Sequence, residues 1–590
     1  MTRPLEPRGV GLPAGTGTPL LVVGAIWGAV GLGGLVWLAG GAASWLTGSG
    51  WQVPPFDTTS AGRFVRGGPA VLWPATPAWL VWTLSAVKLA LVTAVVAVVV
   101  ARRDGRARSG LAGLAQVQHL LPRAVTERAR SLRLGLPRSG EVAPEDTGLA
   151  LGRLGARGPE LRASWEDVLL AVMAPRAGKT TSLAVPAVLA APGAVVATSN
   201  KADLWAATAT LRAVDTGEPV WVFDPQAITG APRTWWWDPL RGLSTVEEAS
   251  RLAGHFIQEV RDDRTGKDFW TSAAHDLLAG LLLAAACSGR DLRDVYEWLN
   301  DPVIPTPAAL LAEAGFTASA ASLRGRQNGA PETRDGVYET ARTAAQCLRD
   351  DVILAWVTPP GADLAEFDAA GFATTRQTLY LLSKDGAGAA APLVAALTDR
   401  VMREGVRAAE RRGGRLDPPM VIVLDEAANV CRIADLPDLY SHLGSRGVVP
   451  LTVLQSYRQG ARVWGEAGMD TLWSAATVKL LGAGLDDAKL AEDVSRLVGE
   501  HDVTVRSYSD GERRRSTSTS LRRQRILPPE DLRALPRGTA LLLATGTRAA
   551  LLQLQPYYHG PRRDEIAAAV SAATRQVQEA RGSAEGVSVR

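Results

Sequence analysis

The sequence predicts an α/β protein whose core is a doubly wound sheet, interrupted by an all-helical insertion and preceded by a two-helix membrane hairpin. Three observations predict this class. Two long apolar runs lie near the amino terminus, short apolar strand candidates alternate with helical stretches from residue 167 onwards, and the strand pattern disappears between residues 240 and 371. The chain has 590 residues, well above the roughly 100 to 200 residues of one domain, so several folded units are expected.

The two apolar runs cover residues 20–38 and 78–101. The second run spans roughly 36 Å as a helix, more than the hydrocarbon core of about 30 Å. We therefore expect a cytosolic amino terminus over residues 1–17 and a transmembrane hairpin with a short external loop over residues 18–101. Nine arginines against two acidic residues follow between residues 102 and 138. This balance favours a multi-pass protein with its bulk in the cytoplasm, and contact with DNA or anionic lipid is the alternative.

Composition excludes several classes of protein. Lys and Arg total 64 against 60 acidic residues, and a net charge of +4 does not by itself identify a nucleic-acid-binding protein. The three cysteines form no CxxC pair, and no histidines cluster near them. Neither a disulfide framework nor a zinc site is therefore expected, which fits a reducing compartment.

The first motif with chemical content follows a strand candidate at residues 167–173. The segment APRAGKTTS and a helical stretch come next, which is the order of strand, loop and helix that binds phosphates. In this frame Lys179 reaches the β- and γ-phosphates and Thr180 holds Mg²⁺. The strict pattern GxxxxGK[ST] fails because Met173 stands at its first glycine, and a plain helix start is the alternative. The predicted nucleotide-binding residues are Pro175, Arg176, Ala177, Gly178, Lys179, Thr180 and Thr181.

A matching acidic pair follows the buried strand candidate Met420–Leu424. Asp425 is predicted to bind Mg²⁺, and Glu426 to orient or deprotonate the attacking water. The alternative is a pair of carboxylates that caps a helix. Gln455 lies at the end of the next strand candidate, residues 449–454, where its amide could sense the γ-phosphate. The alternative is an ordinary polar residue at a strand end.

Further strand candidates at residues 194–198, 220–223, 379–382 and 477–481 complete the predicted sheet. The expected domains are a basic linker over 102–150, a nucleotide-binding domain in two parts over 151–240 and 371–560, an all-α domain over 241–370 and a flexible tail over 561–590. Trp235, Trp236 and Trp237 favour core packing over base stacking. Seven arginines in residues 506–525 favour a solvated loop or hairpin, with DNA contact as the alternative.

Several segments, in this order and spacing, resemble the type IV secretion coupling proteins, the VirD4/TraG/TraD-like ATPases of conjugation systems. These segments are the phosphate-loop region, VFDP at 222–225, WDPL at 237–240, FWTSAAHDLLAGLLLAA at 269–285, TLYLLSKDG at 378–386, VIVLDEAANV at 421–430, SRG at 445–447, LQSYRQ at 454–459, ILPPEDLRALPRGTALLL at 526–543 and QPYYHG at 555–560. The resemblance implies a RecA-like P-loop NTPase core and a homo-hexameric motor of the bacterial inner membrane, with ATP and Mg²⁺ as its cofactors. It also implies that the motor passes relaxase-bound single-stranded DNA to a type IV secretion channel.

The resemblance further implies that Arg446 is an arginine finger that reaches the nucleotide of a neighbouring subunit, and a surface arginine in a turn is the alternative. Two departures stand out, namely Met173 and the segment SNKAD at 199–203, where many relatives carry an acidic DPKGE-like segment. The function predicted from the sequence is an ATP-driven coupling protein. The alternatives are an FtsK-like DNA or protein translocase and a membrane-bound recruitment scaffold that does not hydrolyse nucleotide.

Overall fold

The computed structural model describes residues 17–106, 110–260, 269–361, 363–384, 386, 389–511 and 514–588. It divides into two compact units, Met1–Ser109 and Gly110–Arg590. The predicted cytosolic amino terminus lies outside the described residues except for residue 17.

The first unit contains two long helices, as the apolar runs predict. Its helices are α1 Gly17–Leu46, α2 Thr58–Gly67, α3 Pro69–Leu72 and α4 Ala78–Arg106. Helices α1 and α4 contact each other. The α4 segment Ala78–Val95 is long and apolar enough to cross a membrane, and only 6% of it is buried within the protein. In α1 the described apolar segment, Gly31–Leu46, is shorter than that of α4.

Tryptophans fix the chain between the two long helices. The Trp73 indole N–H donates to the carbonyl of Gln52 at 2.8 Å, and the Trp37 indole N–H donates to the carbonyl of Pro54 at 3.0 Å. Gly40 permits this packing because a Cβ there would lie 2.3 Å from the Trp73 ring. The predicted external loop is therefore an ordered segment that also contains α2 and α3.

The second unit is built on an eleven-stranded mixed sheet, ordered β2-β1-β15-β14-β11-β3-β10-β9-β4-β8-β5. The strands of the second unit are β1 Leu149–Leu154, β2 Glu160–Ala163, β3 Leu169–Val172, β4 Val195–Ser199, β5 Val220–Phe223, β6 Trp235–Trp236, β7 Ala365–Glu366, β8 Thr378–Leu382, β9 Met420–Leu424, β10 Val448–Leu454, β11 Val478–Gly482, β12 Glu500–Gly511, β13 Arg514–Arg525, β14 Thr539–Ala544 and β15 Ala550–Gln553. The seven strands from β11 to β5 are parallel, and they are the seven that the sequence predicts. The other four strands of this sheet pair antiparallel.

Helices cover both faces of this sheet, so the predicted α/β class is confirmed. The α-helices of the second unit are α5 Pro122–Leu132, α6 Pro144–Thr147, α7 Val185–Ala190, α8 Asp203–Thr216, α9 Val246–Ile257, α10 Phe269–Ser288, α11 Leu292–Asn300, α12 Thr306–Glu313, α13 Thr317–Gln327, α14 Pro331–Ala344, α15 Asp351–Trp356, α16 Ala369–Phe372, α17 Ala391–Arg411, α18 Ala427–Val430, α19 Leu436–Leu443, α20 Tyr457–Ala475, α21 Ala488–Val498, α22 Pro529–Arg533 and α23 Arg563–Ser588. Side chains of β3 alternate between two cores, with Leu170 and Val172 in one and Leu169 and Ala171 in the other. This alternation is the period of two that a strand imposes.

The helical insertion between β5 and β8 contains eight of these helices, α9 to α16, and the short strands β6 and β7. The predicted all-α domain over 241–370 therefore includes one short strand, β7. Helix α10 is apolar and long enough to span a membrane, but 56% of it is buried inside the protein, which identifies it as the core helix of this insertion. The tryptophan triplet packs in the core as predicted. Trp235 is only 2% exposed and lies edge-on to Trp356, with 5.6 Å between the ring centroids.

Strands β12 and β13 pair over twelve residues each and form a separate two-stranded hairpin. The basic segment 506–525 therefore lies in a hairpin, which is one of the two forms that the sequence favours for it.

The carboxyl-terminal residues differ from the sequence prediction. In place of a flexible tail over 561–590, residues Arg563–Ser588 form helix α23, which contacts α8. Both terminal nitrogens of Arg562 donate to the Asp215 carboxylate, at 2.6 and 3.1 Å. Ile566 and Ala569 are buried. The polar composition of this segment concealed the helix, because the buried residues Ile566 and Ala569 are three positions apart on one helical face.

Candidate nucleotide-binding site

The loop after β3 has the backbone conformation that a phosphate-binding turn requires. Gly178 has a φ of +94°, a region that residues with a Cβ rarely adopt, and Arg176 also has a positive φ of 62°. The Ser182 N–H donates to the carbonyl of Gly178 at 2.8 Å, which starts the helical turn Thr180–Ala184 that leads into α7. The loop therefore ends at the amino-terminal end of a helix, where backbone N–H groups favour anions.

The structure brings the predicted loop and the acidic pair together. The Lys179 ammonium donates to Glu426 Oε1 at 2.6 Å, and the Thr180 hydroxyl donates to Asp425 Oδ2 at 2.9 Å. The Gln455 amide donates to Glu426 Oε2. These residues follow β3, β9 and β10, which are adjacent parallel strands in the order β3-β10-β9, so their carboxyl ends meet at one edge of the sheet.

Asn429 contacts Glu426 directly, and Gln459 in turn contacts Asn429. Sequence reasoning missed both residues. Asn429 donates to Glu426 Oε2 at 3.1 Å, and Gln459 donates to Asn429 Oδ1 at 2.7 Å. Glu426 itself has a φ of 58°, which turns the chain sharply between β9 and α18. The available signal was spacing, since Asn429 lies three residues after Glu426 and Gln459 four residues after Gln455, which are helical distances.

Asp425 and Thr180 fit a magnesium site. Asp425 Oδ1 is buried and has no hydrogen-bond partner among the described residues, so it is available to a further ligand. Burial raises the pKa of the Asp425 carboxyl above its ordinary value, while the nearby Lys179 charge acts in the opposite direction. A carboxylate and a hydroxyl are oxygen ligands of the kind that Mg²⁺ prefers.

The cleft around these residues, which we call the phosphate cleft, has a volume of about 440 Å³. It is lined by the predicted loop residues except Ala177, by both acidic residues and Gln455, and by the segment that follows β4. Ala177 is buried beneath the loop, where its N–H donates to the carbonyl of Ala174 at 3.2 Å. Lys201, within the SNKAD segment, adds a cation to the wall of this cleft.

Met173 does not line the phosphate cleft. Its side chain is 1% exposed and packs against Gly482 of β11, where an added Cβ would lie 2.4 Å from Met173 Cε. The Met173 N–H donates to the carbonyl of Leu454 at 3.0 Å. Gly482 thus provides the space for the methionine that replaces the first glycine of the strict motif.

This packing predicts that substitutions of Met173 and Gly482 have non-additive effects on the stability of the protein. We expect Gly482→Ala to lower the thermal stability of the protein, because the new methyl group meets Met173, and Met173→Gly to cost about 2–5 kcal/mol through a cavity. The double variant should be more stable than the sum of the two losses predicts, since the methyl group then enters the vacated space. Thermal unfolding of the four proteins measures this coupling, and strictly additive losses would contradict it. ATP affinity should not increase in Met173→Gly.

Arg446 lies apart from this cluster within one chain. It ends a short turn just before β10, whereas Gln455 follows the same strand. Seven strand residues at about 3.3 Å each separate the two by roughly 20 Å. The Arg446 guanidinium is partly exposed and lies 3.8 Å from Glu410 Oε1.

Fold and site together define a P-loop protein with a RecA-like α/β core. Residues 419–537, which include Asp425, Glu426, Arg446 and Gln455, match the family model described as the TraM recognition site of TraD and TraG. No curated protein matches the chain.

Several solved structures of the bacterial conjugative coupling protein TrwB share the fold. The unbound form matches with 18% identity and a TM-score of 0.51, covering 73% of this chain and 90% of that chain. The complexes of TrwB with the GTP analogue GDPNP and with ADP and Mg²⁺ match with 18% identity and a TM-score of 0.51, covering 73% of this chain and 92% of those chains. The matched family model and the shared fold confirm the resemblance to coupling proteins of the TraG and TraD type.

Proposed function

We propose that this protein is a membrane-anchored ATPase that couples relaxase-bound single-stranded DNA to a type IV secretion channel and drives its translocation by ATP hydrolysis. The observation that carries the proposal is the joined pair of contacts, Lys179 to Glu426 and Thr180 to Asp425, at the end of a strand–loop–helix unit. This arrangement supplies a cation for phosphates, a carboxylate base and oxygen ligands for a metal.

The hydrolytic step follows from the same contacts. The triphosphate offers oxygen atoms that compete with Glu426 for the Lys179 ammonium, so nucleotide binding frees Glu426 Oε1. Glu426 then accepts a proton from water as the water oxygen bonds to the γ-phosphorus and the bond to the β-phosphate oxygen breaks. Gln455, already in contact with Glu426, orients the carboxylate. Mg²⁺, held by Asp425 and Thr180, would offset the charge of the phosphates.

The membrane anchor rests on α1 and α4. The exposed apolar surface of α4 is costly in water and favourable in lipid, and the arginines that follow it in the sequence fit a cytoplasmic flank. A protein of the bacterial inner membrane with its second unit in the cytoplasm is the arrangement we propose.

The DNA cargo rests on the family match and on charge. TrwB is described as a conjugative coupling protein, and the matched family model is described as a TraM recognition site, which supports a relaxosome partner for this chain. Seven arginines in residues 506–525 favour contact with phosphates, and this segment lies in the hairpin of β12 and β13. We propose a homo-hexamer because Arg446 completes a nucleotide site only when it comes from another subunit.

Phosphate release by the full chain in detergent micelles tests the proposal. We expect release that single-stranded DNA stimulates and that Lys179→Ala abolishes. Lys489→Ala is the matched control, since its side chain is 78% exposed and lies outside the phosphate cleft. Duplex DNA is the second arm. Stimulation by the duplex alone would favour an FtsK-like translocase, and tight ATP binding without any release would favour a scaffold.

A further inference from the structure

A second cleft opens beside the phosphate cleft. Its volume is about 420 Å³, within the range of small-molecule sites. Thr180, Thr181 and Asp203 line both clefts, so the two spaces adjoin each other. Helices α8 and α23 supply most of its lining residues, and no sequence motif predicts a site between these two helices.

Helix α23 forms one wall of the second cleft. Arg562, just before α23, is paired with Asp215 near the end of α8, whereas Gln578, 16 residues further along, lines the cleft together with Asp203, the first residue of α8. Helix α23 therefore runs antiparallel to α8, and its later turns approach the phosphate loop.

The two walls present mainly apolar side chains. Val570, Ala573 and Val577 of α23 are half-buried and share one face, because they are separated by three and four residues. Ala206 and Ala207 of α8 face them across the cleft. A slot between small aliphatic side chains fits a flat, weakly polar ring.

The position of the phosphate loop indicates which part of a bound nucleotide lies in this slot. In a bound nucleotide, Lys179 contacts the β- and γ-phosphates. Thr180 and Thr181 follow Lys179 at the start of the helix. A nucleotide whose terminal phosphates contact Lys179 and Glu426 therefore has its nucleoside on the side of Thr181, which is the side where the second cleft opens.

We infer that α23 is the outer wall of a nucleoside subsite, in which the base of the bound nucleotide lies between Ala573 and Val577 of α23 and the alanines of α8. This inference rests on the proposed function, because it deepens the same nucleotide site. Thr574, Gln578 and Tyr557 also line the slot and offer polar atoms to the base and the ribose.

The test compares ATP with inorganic tripolyphosphate, which has the phosphates but no nucleoside. In the full chain, Ala573→Trp fills the slot, and we expect it to weaken ATP binding by about tenfold or more while tripolyphosphate binding stays unchanged. Ala572→Trp is the matched control, since this neighbouring residue is exposed and does not line the cleft. ATP affinity equal in the two variants would overturn the inference, as would a parallel loss of tripolyphosphate binding in Ala573→Trp alone.

A measurement on the unaltered chain keeps the inference testable if the variant folds poorly. ATP should slow the amide hydrogen exchange of residues 566–578, and tripolyphosphate should not. Equal protection by both ligands, or protection by neither while ATP binds, would overturn the nucleoside subsite. A wild-type chain that binds no ATP at all would instead overturn the proposed function, so the two failures are distinguishable.

Discussion

Glu426→Gln is expected to lower ATP turnover by about 10²- to 10⁴-fold while the protein still binds ATP. The glutamine keeps the size of the side chain and can still accept hydrogen bonds from Asn429 and Gln455. It cannot accept a proton from water at neutral pH. The loss should therefore fall on kcat, whereas the affinity for ATP should rise, because Glu426 no longer competes with the phosphates for Lys179.

The same substitution should change the stability of the ligand-free protein. Lys179 and Glu426 are both buried, and removal of the negative partner leaves a buried ammonium without its counter-charge. Loss of one partner of a buried pair costs about 3–5 kcal/mol, so the ligand-free variant should unfold at a lower temperature than the wild type. ATP should stabilise the variant more than the wild type, because the phosphates replace the missing charge.

Single-turnover phosphate release, ATP binding and thermal unfolding measure these effects. Glu339→Gln is the control, since this carboxylate is 66% exposed and pairs only with its helical neighbour Arg342 among the contacts described. Turnover that persists in Glu426→Gln would show that another group accepts the proton. In this account the Lys179 ammonium leaves Glu426 and contacts the phosphates when ATP binds. Equal stabilisation of the variant and the wild type by ATP would contradict it.

The sequence predicted that the side chains of Lys179, Asp425 and Gln455 would meet because a parallel sheet imposes simple geometry. Each strand of such a sheet ends at the same edge, so residues that follow three apolar strands meet there. Lys179, Asp425 and Gln455 were predicted from this reasoning, although up to 276 positions separate them in the chain. The same geometry separates Arg446 from them, since it precedes its strand.

Other features of the structure were not predicted, because they depend on contacts between distant segments that a single sequence does not specify. Strands β1 and β2 are short, and β1 is broken by a register shift near Gly152, so neither has a strong periodic pattern. Helix α23 was predicted as a tail because its one apolar face becomes meaningful only when α8 lies opposite. Met173 breaks the strict loop motif, and the space for its side chain is provided by Gly482, more than 300 positions away in the sequence.

Arg446→Ala is expected to lower turnover by about 10³-fold or more, with ATP binding preserved, if this guanidinium stabilises the transition state in the next subunit. Its position at the opposite end of β10 from Gln455 excludes direct contact with the nucleotide of its own chain. Arg123→Ala is the control, since the Arg123 side chain is 94% exposed. Unchanged turnover in Arg446→Ala would identify it as a surface arginine.

Mixing two inactive variants distinguishes action between subunits from action within one. Lys179→Ala retains Arg446 but lacks the phosphate-binding lysine, whereas Arg446→Ala retains the lysine but lacks the finger. In a ring with head-to-tail interfaces, random mixing in equal amounts pairs an intact Lys179 with an intact Arg446 of the next subunit at about a quarter of the interfaces. Recovery of turnover in the mixture is therefore expected, up to roughly that fraction of the wild-type rate if the sites act independently. A mixture as inactive as its components would contradict a finger that acts between subunits, because nucleotide sites with both residues intact would be present and yet silent.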